Sequence, residues 1–209
     1  MSTTLTVIGS GNVGSAVAAL AAKGGAQVQV LGRDQEKAAA LAAQVSGTSG
    51  AVGDAIAGDI VVLAVPVTAF DELVAAYGAQ LDGKIVVDVT NPVDFATFDS
   101  LTVPSDSSAA AELQAKLPGA KVVKAFNTVF AGVLAAGQVG GDTPATVLVA
   151  GDDDAAKAAL IELVTAGGVT GIDAGSLKRA REMEAVGFLQ MTLAAREITG
   201  WTGGFALRK

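Results

Sequence analysis

The stretch that decides the fold is LTVIGSGNVG, residues 5–14, in which an apolar strand meets a G-x-G-x-x-G turn ahead of an alanine-rich helix. The first glycine of such a turn permits the tight bend, the second lets the backbone approach a pyrophosphate, and the third lets the helix pack on the strand. The helix N-terminus adds free N–H groups and positive dipole charge. A glycine-rich turn without a ligand is the alternative, but strand, turn and helix stand in the order that dinucleotide binding requires. The residues expected to hold the dinucleotide are Gly9, Ser10, Gly11, Asn12, Val13 and Gly14.

The composition excludes several classes of protein. The 209 residues are 51% hydrophobic, which is ample for a sizeable core, and the chain contains no cysteine, so no disulfide, thiolate nucleophile or cysteine metal site is expected. A net charge of -7 disfavours nucleic acid and anionic membranes as partners. No basic leader and no apolar run of about 18 residues is present. We therefore expect a cytoplasmic protein that binds neither nucleic acid nor a membrane and holds no metal.

Short β-branched runs alternate with alanine-rich stretches along most of the chain, which is typical of a parallel sheet with crossover helices. The expected strands are 5–9, 27–31, 50–52, 59–65, 84–89, 121–126, 146–150 and 169–173. The expected helices are 12–23, 34–45, 68–79, 107–117, one capped by Asp152–Asp154, and a long final helix over 176–199. The pattern predicts an α/β fold with a Rossmann-type, doubly wound parallel sheet. We expect residues 1–130 to form the dinucleotide-binding domain, and residues 131–209, which include the glycine-rich stretch 136–142, to form a small C-terminal α/β segment.

The end of the second strand indicates which dinucleotide binds. NAD sites of this type place an Asp or Glu there, whose carboxylate accepts from the ribose 2′-hydroxyl. Here Gly32 leaves space, Arg33 offers a planar fork of donors for a phosphate, and Lys37 follows one helical turn later. Arg33 and Lys37 could instead be ordinary solvated residues. The negative charge of Asp34 between them also weakens the argument that this position attracts a phosphate. The pattern favours NADP over NAD.

The chain contains no histidine, which is the common acid or base beside a nicotinamide in dehydrogenases of hydroxy acids. Each of the other residues that could act as an acid or base also has a simple structural role at a strand end or on a helix face. Hydride transfer between two bound rings needs no such group, because positioning supplies most of the catalysis. We therefore predict no catalytic side chain. The remaining candidates are Lys124, Tyr77, Asp88, Lys178 and Glu182.

Three further segments stand at the carboxyl ends of expected strands, where ligands bind in open parallel sheets. They are residues 63–66, 88–92 and 124–128. Asn91, Asn127 and Thr128 supply neutral amide and hydroxyl groups that suit a carboxamide, although turn formation explains the asparagines equally well.

The chain resembles the NADPH-dependent reductases of coenzyme F420, an 8-hydroxy-5-deazaflavin, along nearly its whole length. The segments that carry the resemblance are 9–14, 32–33 with Lys37, 64–66, 151–153, 173–175 and 203–205. The resemblance implies that the turn, Arg33 and Lys37 hold NADP, although Gly32 replaces a serine of the family pattern. It also implies a nicotinamide wall and a deazaflavin side, with the segment around Gly203 on the latter. The wall residues implied are Val65, Pro66, Asn91 and Ala131.

Residues 126–130, FNTVF, depart from the LHTIP segment of archaeal members. They are similar instead to the NADPH:flavin reductase domain of the STEAP ferric reductases. The acceptor is therefore open between a deazaflavin and a flavin. On the substrate side we expect Asn127, within this segment, and Gly203.

The sequence as a whole predicts an oxidoreductase that transfers a hydride between NADP(H) and coenzyme F420 or a flavin. An NADPH-dependent imine or small-carbonyl reductase and a non-catalytic NADP-binding sensor are the alternatives. An apolar stripe along the final helix predicts a homodimer, with the tail 201–205 over the acceptor ring. A monomer whose last helix closes its own core is the alternative. The stripe consists of Met183, Val186, Gly187, Gln190, Met191, Ala194 and Ile198.

Overall fold

The computed structural model describes residues 3–207, and in it eight of ten strands form one sheet. The strands are β1 (Thr4–Ile8), β2 (Gln27–Gly32), β3 (Thr48–Ala51), β4 (Ile60–Leu63), β5 (Ile85–Asp88), β6 (Lys121–Ala125), β7 (Gln138–Val139), β8 (Thr143–Pro144), β9 (Thr146–Gly151) and β10 (Thr170–Gly175). The helices are α1 (Asn12–Lys23), α2 (Gln35–Gln44), α3 (Phe70–Leu81), α4 (Ala109–Lys116), α5 (Ala131–Ala136), α6 (Asp154–Ala166) and α7 (Ala180–Ala195).

The sheet order is β10-β9-β6-β5-β4-β1-β2-β3. Strands β1 to β6 pair in parallel, whereas β9 runs antiparallel to β6 and parallel to β10. Parallel pairing needs a crossover for each strand, and the helices of the alternating pattern supply these crossovers. The predicted Rossmann-type, doubly wound α/β fold is confirmed, with an antiparallel junction that the sequence analysis did not predict.

The central strands are buried on both faces, because side chains along a strand alternate between two helix layers. Leu5 and Val7 of β1 pack into one apolar cluster with α1 and α6, and Ile8 packs into the other with α3 and α4. Neither layer could bury its apolar face alone.

Strand β1 lies between β2 and β4, so the chain reverses its direction of travel across the sheet at this point. In doubly wound sheets a crevice opens at the carboxyl ends of the two strands beside such a reversal. The turn after β1 begins at Gly9, and the segment after β4 begins at Ala64. The fold therefore brings two of the predicted site segments to the same crevice.

The C-terminal third adds β9 and β10 to the same sheet, so it continues the main sheet rather than forming a separate one. The division at residue 130 stays a prediction. The helix expected after Asp152–Asp154 is present, and the Asp153 side chain caps it by accepting from the Ala156 N–H at 2.8 Å. The stretch 136–142, expected as a junction, includes β7 of a short hairpin.

The final helix is shorter than the predicted 176–199. A 3₁₀ turn, Leu177–Arg179, precedes α7, and α7 ends at Ala195. Glu197 has a φ of +59°, a left-handed conformation that cannot continue an α-helix. Within residues 3–207, none of the helices has the length and apolar character needed to cross a membrane.

Candidate functional site

The glycines of the turn after β1 have different reasons to be glycine. A Cβ at Gly9 would overlap the carbonyl oxygen of Ala64, and the φ of Gly9 is +114°. A Cβ at Gly14 would overlap the carbonyl oxygen of Gly9. Both positions are therefore fixed by the packing of the turn and of α1 against the strands.

Gly11 has no such reason within the chain. Its φ is -79°, which any residue adopts, and a Cβ there would meet nothing within 4 Å. Gly11 is also the N-cap of α1, and no side chain caps the first N–H groups of the helix from this position. A side chain at this position would project where two cavities meet, because Gly11 lines both. Glycine here suits the approach of a ligand to the backbone.

The smaller cavity, of about 320 Å³, lies between the glycine turn and the start of α2. Arg33 and Lys37 line it, together with Gly9 and Ser10. Asp34 also lines it, but its carboxylate accepts from the Lys37 backbone N–H at 3.1 Å and lies 3.2 Å from the Lys37 Nζ. These hydrogen bonds lower the pKa of Asp34 and commit its charge to capping α2. The exposed guanidinium of Arg33 is left to meet an anion.

The larger cavity, of about 690 Å³, begins at Gly11 and runs across the carboxyl ends of β4, β5 and β6. The two cavities share Gly11, Ala64, Val65 and Pro66. They therefore form one continuous crevice. The lining of the larger cavity is Gly11, Asn12, Val13, Ala64, Val65, Pro66, Val67, Thr68, Val89, Thr90, Asn91, Pro92, Val93, Phe95, Thr102, Phe126, Asn127, Val129, Phe130, Ala131, Gly132, Met191, Trp201 and Thr202.

Two asparagines link the ends of β5 and β6 inside the larger cavity. Asn127 Nδ2 donates to Asn91 Oδ1 at 2.9 Å, and Asn91 Nδ2 donates to the Asn127 carbonyl oxygen at 2.9 Å. Asn127 Nδ2 also donates to the Met183 carbonyl oxygen. The Oδ1 of Asn127 and the Oγ1 of Thr90 are buried without a hydrogen-bond partner. Unpartnered buried oxygens are costly, and both atoms are closed to solvent, so a ligand that donates would reach them only after the surrounding side chains shift.

The backbone around this pair is strained and closely packed. Phe126, which is buried and lies directly before Asn127, has a φ of +67°. A bulky residue in the left-handed region is unusual and costs on the order of 1 to 3 kcal/mol, and such strain concentrates at functional sites. A Cβ at Gly187 of α7 would overlap Asn91 Oδ1, so only glycine lets α7 approach the asparagines this closely.

The tail after α7 closes one wall of the larger cavity. The Trp201 ring lies 5.0 Å from the Phe130 ring between centroids, and both line the cavity. Gln190 Oε1 accepts from the Phe205 backbone N–H at 2.9 Å and so ties the tail back to α7. Gly203, predicted on the substrate side, lines neither cavity and sits one residue beyond Thr202, which does.

The remaining predicted binding residues lie in the crevice, with two exceptions besides Gly203. Gly14 lines neither cavity and serves the packing of α1. Thr128 is buried, lines neither cavity, and has an Oγ1 without a partner. The predicted residues that line at least one cavity are Gly9, Ser10, Gly11, Asn12, Val13, Arg33, Lys37, Val65, Pro66, Asn91, Asn127 and Ala131.

None of the five acid–base candidates lines the larger cavity. Lys178, in the 3₁₀ turn, and Glu182, in the first turn of α7, are exposed, and the buried hydroxyl of Tyr77 accepts from the Gly53 N–H. Lys124 and Asp88 are fully buried and paired at 2.8 Å. The prediction that none of the five is a catalytic residue stays a prediction.

Glu184, which was not among the residues predicted from the sequence, completes this buried cluster. Lys124 Nζ donates to Glu184 Oε1 at 2.7 Å and to the Thr90 carbonyl oxygen at 2.7 Å. Glu184 also accepts from the N–H of Ala109 at the start of α4, and burial raises the pKa of its carboxyl. A signal was available: Glu184 stands four residues after Ala180 and three before Gly187, on the buried face of α7.

Comparison with known proteins agrees with this geometry. The family model described as NADP oxidoreductase coenzyme F420-dependent matches residues 4–92. The chain is 30% identical over 204 residues to the F420-dependent NADP reductase of Methanothermobacter thermautotrophicus, covering 90% of this chain and 87% of that protein. It is 34% identical over 183 residues to Metalloreductase STEAP3 of Rattus norvegicus, covering 86% of this chain but only 35% of the length of that relative.

A solved structure extends the agreement to the whole fold. The crystal structure of an F420-dependent NADP-reductase from Arthrobacter sp. FB24 superposes with a TM-score of 0.83 at 30% identity, covering 98% of this chain and 99% of that one. Fold, site segments and sequence identity over nearly the full archaeal reductase point to one family. The chain belongs to the F420-dependent NADP oxidoreductases.

Proposed function

We propose that this chain transfers a hydride reversibly between NADP(H) and a second flat ring, a deazaflavin such as coenzyme F420 or a flavin. The observation that carries the proposal is the two-part crevice, whose parts meet at Gly11. The smaller cavity is lined by Arg33 and Lys37 beside Asp34 and Glu72, and the larger one is uncharged with aromatic walls. An extended dinucleotide fits such a crevice with its phosphate end in one part and its ring end in the other.

The fit of NADP to the residues present can be argued group by group. The pyrophosphate would lie against Gly11 and the uncapped start of α1, and the 2′-phosphate against Arg33 and Lys37. The nicotinamide would lie beside Val65 and Pro66, which the two cavities share. Its wall would be completed by Asn91 and Ala131.

The buried Asn127 Oδ1 supplies a reason for the orientation of the nicotinamide. This oxygen has no partner within the described chain, and the carboxamide of the nicotinamide carries an NH₂ group that could donate to it. The Nδ2 of Asn127 is held by Asn91 and by the Met183 carbonyl, so the amide does not need to turn to receive the ligand. An acceptor held in this way would fix which face of the ring points into the larger cavity.

The chemistry asked of the protein is positioning. When bound, NADPH supplies one hydride, and the acceptor ring takes one further proton from water. The cavity walls hold the rings at stacking distance and keep other water out, which can supply a large part of the rate enhancement. The lining of the larger cavity within residues 3–207 offers no ionisable side chain for proton transfer.

An imine or small-carbonyl reductase would need a proton donor for the imine nitrogen or the carbonyl oxygen, such as Lys124, Lys178 or a water. The ammonium of Lys124 is fully buried and donates to Asp88, Glu184 and the Thr90 carbonyl, so this role would fall to water. A non-catalytic sensor would have no use for an acceptor cavity beyond the nicotinamide.

The decisive experiment mixes the purified chain with NADPH and, separately, with coenzyme F420, FMN or a cyclic imine, and follows NADPH oxidation. We expect turnover with one of the ring acceptors and none above background with the imine. The variant Gly11→Val serves as the control for adventitious reduction. Turnover with the imine alone would overturn the proposal, and NADPH binding without any turnover would favour the sensor.

We also propose that the chain forms a two-fold homodimer through α7. Met183, Gly187 and Gln190 of the predicted stripe are buried within the chain, so they cannot serve an interface. Val186 and Leu189, beside this buried face, are 39% and 52% exposed and would supply it. Light scattering at micromolar concentration tests this, and a monomer alone would overturn it.

A further inference from the structure

Gln190 of α7 is a buried polar side chain that lines neither cavity of the crevice. It is 2% exposed, and a buried amide is costly unless its hydrogen-bonding groups have partners. Both ends of this amide have one: the Oε1 accepts from the Phe205 N–H at 2.9 Å, and the Nε2 donates to the Thr128 carbonyl oxygen at 3.4 Å. Gln190 therefore joins the tail after α7 to the segment that follows β6.

The two segments that Gln190 joins carry two aromatic side chains of the larger cavity. Phe130 stands two residues after Thr128, and Trp201 stands four residues before Phe205. The centroids of the Phe130 and Trp201 rings are 5.0 Å apart, and both rings line the cavity. A shift of either segment would change this contact, and with it the wall against which a flat ring would lie.

The backbone of the tail is shaped to receive the buried amide. Gly204 has a φ of +145°, and a Cβ there would lie 2.8 Å from Gln190 Oε1 and 3.0 Å from its Cδ. Glycine is therefore the residue that lets the tail approach the amide this closely. The Thr202 carbonyl oxygen also accepts from the Gly140 N–H at 3.3 Å. Two hydrogen bonds thus hold the tail just after Trp201, and that of Gln190 joins it to α7.

We propose that Gln190 is a positioning residue for the ring acceptor and that it acts through Trp201. Its amide holds the tail in place and so keeps the Trp201 ring packed on Phe130 at the wall of the larger cavity. The inference rests on the proposed function, because the acceptor is the ring proposed to bind there. Loss of Gln190 should affect the dinucleotide much less, since Arg33 and Lys37, which are proposed to hold its 2′-phosphate, line the other cavity.

The test removes both hydrogen bonds of the amide and keeps the buried site filled. Gln190→Met has a flexible side chain of similar length that can bind neither Phe205 nor Thr128 through an amide. Trp201 is the only tryptophan of the sequence, so acrylamide quenching of its fluorescence in the free chain reports how firmly the tail is held. We expect stronger quenching in Gln190→Met than in the parent.

The kinetic readout separates the acceptor from the dinucleotide. The KM for FMN or coenzyme F420, whichever the parent reduces, should rise by about two- to tenfold in Gln190→Met, as loss of one net hydrogen bond would produce. The kcat and the Kd of NADPH should stay within about twofold of the parent, which a general loss of structure would not allow.

A second variant disturbs the same contact from the tail, so that the test does not depend on the folding of Gln190→Met. The Cβ of Gly204→Ala would press on the Gln190 amide, and the same rise in quenching and in KM is expected. Gly200→Ala is the matched control, because a Cβ there meets nothing closer than 3.8 Å and its φ lies outside the left-handed region. The double variant Gln190→Met/Gly204→Ala should raise the KM no further than the larger single effect, since both changes remove one contact.

The outcomes separate this inference from the function on which it rests. Parental quenching and a parental KM in Gln190→Met and Gly204→Ala would overturn the inference and leave the proposed function intact. A loss of NADPH affinity as large as the rise in KM, or additive effects in the double variant, would also overturn it, because Gln190 would then not act through the tail. A parent chain that reduces neither FMN nor coenzyme F420 overturns the proposed function itself, whatever the quenching shows.

Discussion

The two cavities of the crevice differ in how they recognise what enters them. The smaller one presents charged side chains, Arg33 and Lys37 from the stretch between β2 and α2 together with Asp34 and Glu72, and Arg33 and Lys37 are the residues that would meet an anion. The larger one is assembled from the ends of three strands and from the tail, and it presents apolar walls with neutral amides and hydroxyls. Affinity for the dinucleotide can therefore reside at one end of the crevice while the reacting rings meet at the other, in a place where no charged side chain competes with them.

A substitution where the two cavities meet is expected to have the largest effect on NADPH binding. Gly11→Val would put a branched side chain where the dinucleotide backbone must pass, so NADPH binding measured by calorimetry should vanish. The fold should survive, because a Cβ at this position meets nothing within 4 Å. Near-parental binding by Gly11→Val would make the turn merely structural.

Two other glycines serve as controls for this prediction. Gly78 on α3 also has open space around a Cβ, so Gly78→Val should bind NADPH normally. Gly9→Ala should fail earlier, at folding, because its Cβ would overlap Ala64 and its φ is +114°. Thermal unfolding of the three variants would separate loss of binding from loss of structure.

The next largest effect is expected on stability, from the buried cluster of Lys124, Asp88 and Glu184. Lys124→Met would leave the carboxylates of Asp88 and Glu184 buried without their ammonium, which should cost about 3 to 5 kcal/mol of stability. Turnover per folded molecule should stay within about tenfold, since loss of a true acid or base costs ~10²- to 10⁴-fold. Denaturant unfolding and steady-state kinetics measure the two quantities, and the exposed Lys178→Met is the control. If turnover fell further while the affinity for NADPH stayed unchanged, Lys124 would be an acid or base in the reaction.

The same cluster predicts a pH dependence. Burial raises the pKa of Glu184 above its ordinary 4.5, so the folded chain keeps a proton there that the unfolded chain has lost. The stabilisation that comes from the protonated Glu184 carboxyl is complete at a pH below the pKa of this group in the unfolded chain. It is lost as the pH rises through the pKa of the group in the folded chain. The free energy of unfolding of the parent, relative to Glu184→Gln, should therefore fall as the pH rises from about 4.5. A rise over the same range would mean that the pairing with Lys124 outweighs the cost of burial.

The parts of the molecule whose structure depends on residues close together in the sequence could be predicted. The turn over 9–14, the strand pattern and the Arg33–Lys37 pair are each written in a few consecutive residues, and their structures follow from local rules. The antiparallel joining of β9 to β6 depends on contacts across the sheet, and no local pattern specifies it.

The larger cavity also depends on contacts between distant segments that no local sequence pattern specifies. Asn91 and Asn127 could be expected at strand ends, but their mutual hydrogen bonds and the approach of Gly187 require three distant segments to be placed together. Glu184 escaped prediction because a charged residue on a helix is usually solvated, and only α4 and β6 make its burial tolerable. Gly203 was expected in the site, and its neighbours Trp201 and Thr202 reach the cavity instead.

A smaller effect tests the charged end of the crevice. Arg33→Ala should weaken NADPH by roughly ten- to a hundredfold while leaving NADH nearly unchanged, because a charge-assisted contact to the 2′-phosphate is worth about 1.5 to 3 kcal/mol. Calorimetry with both dinucleotides makes the comparison. Arg181→Ala, on exposed α7 surface, is the matched control. Equal losses for NADPH and NADH would show that the smaller cavity does not read the 2′-phosphate.

The smallest effect is expected at the aromatic end. Trp201 packs on Phe130 and is 53% exposed, so its ring covers the acceptor cavity from one side only. Trp201→Leu should raise the KM for the ring acceptor by about two- to tenfold, in line with the 0.5 to 1.5 kcal/mol of an aromatic contact, and leave the Kd of NADPH within about twofold. Phe205→Leu, in the same tail but outside the cavity lining, should change neither. If Trp201→Leu weakened NADPH as much as the acceptor, the tryptophan would cover the nicotinamide, and the uncharged cavity would hold one ring where the proposal requires two.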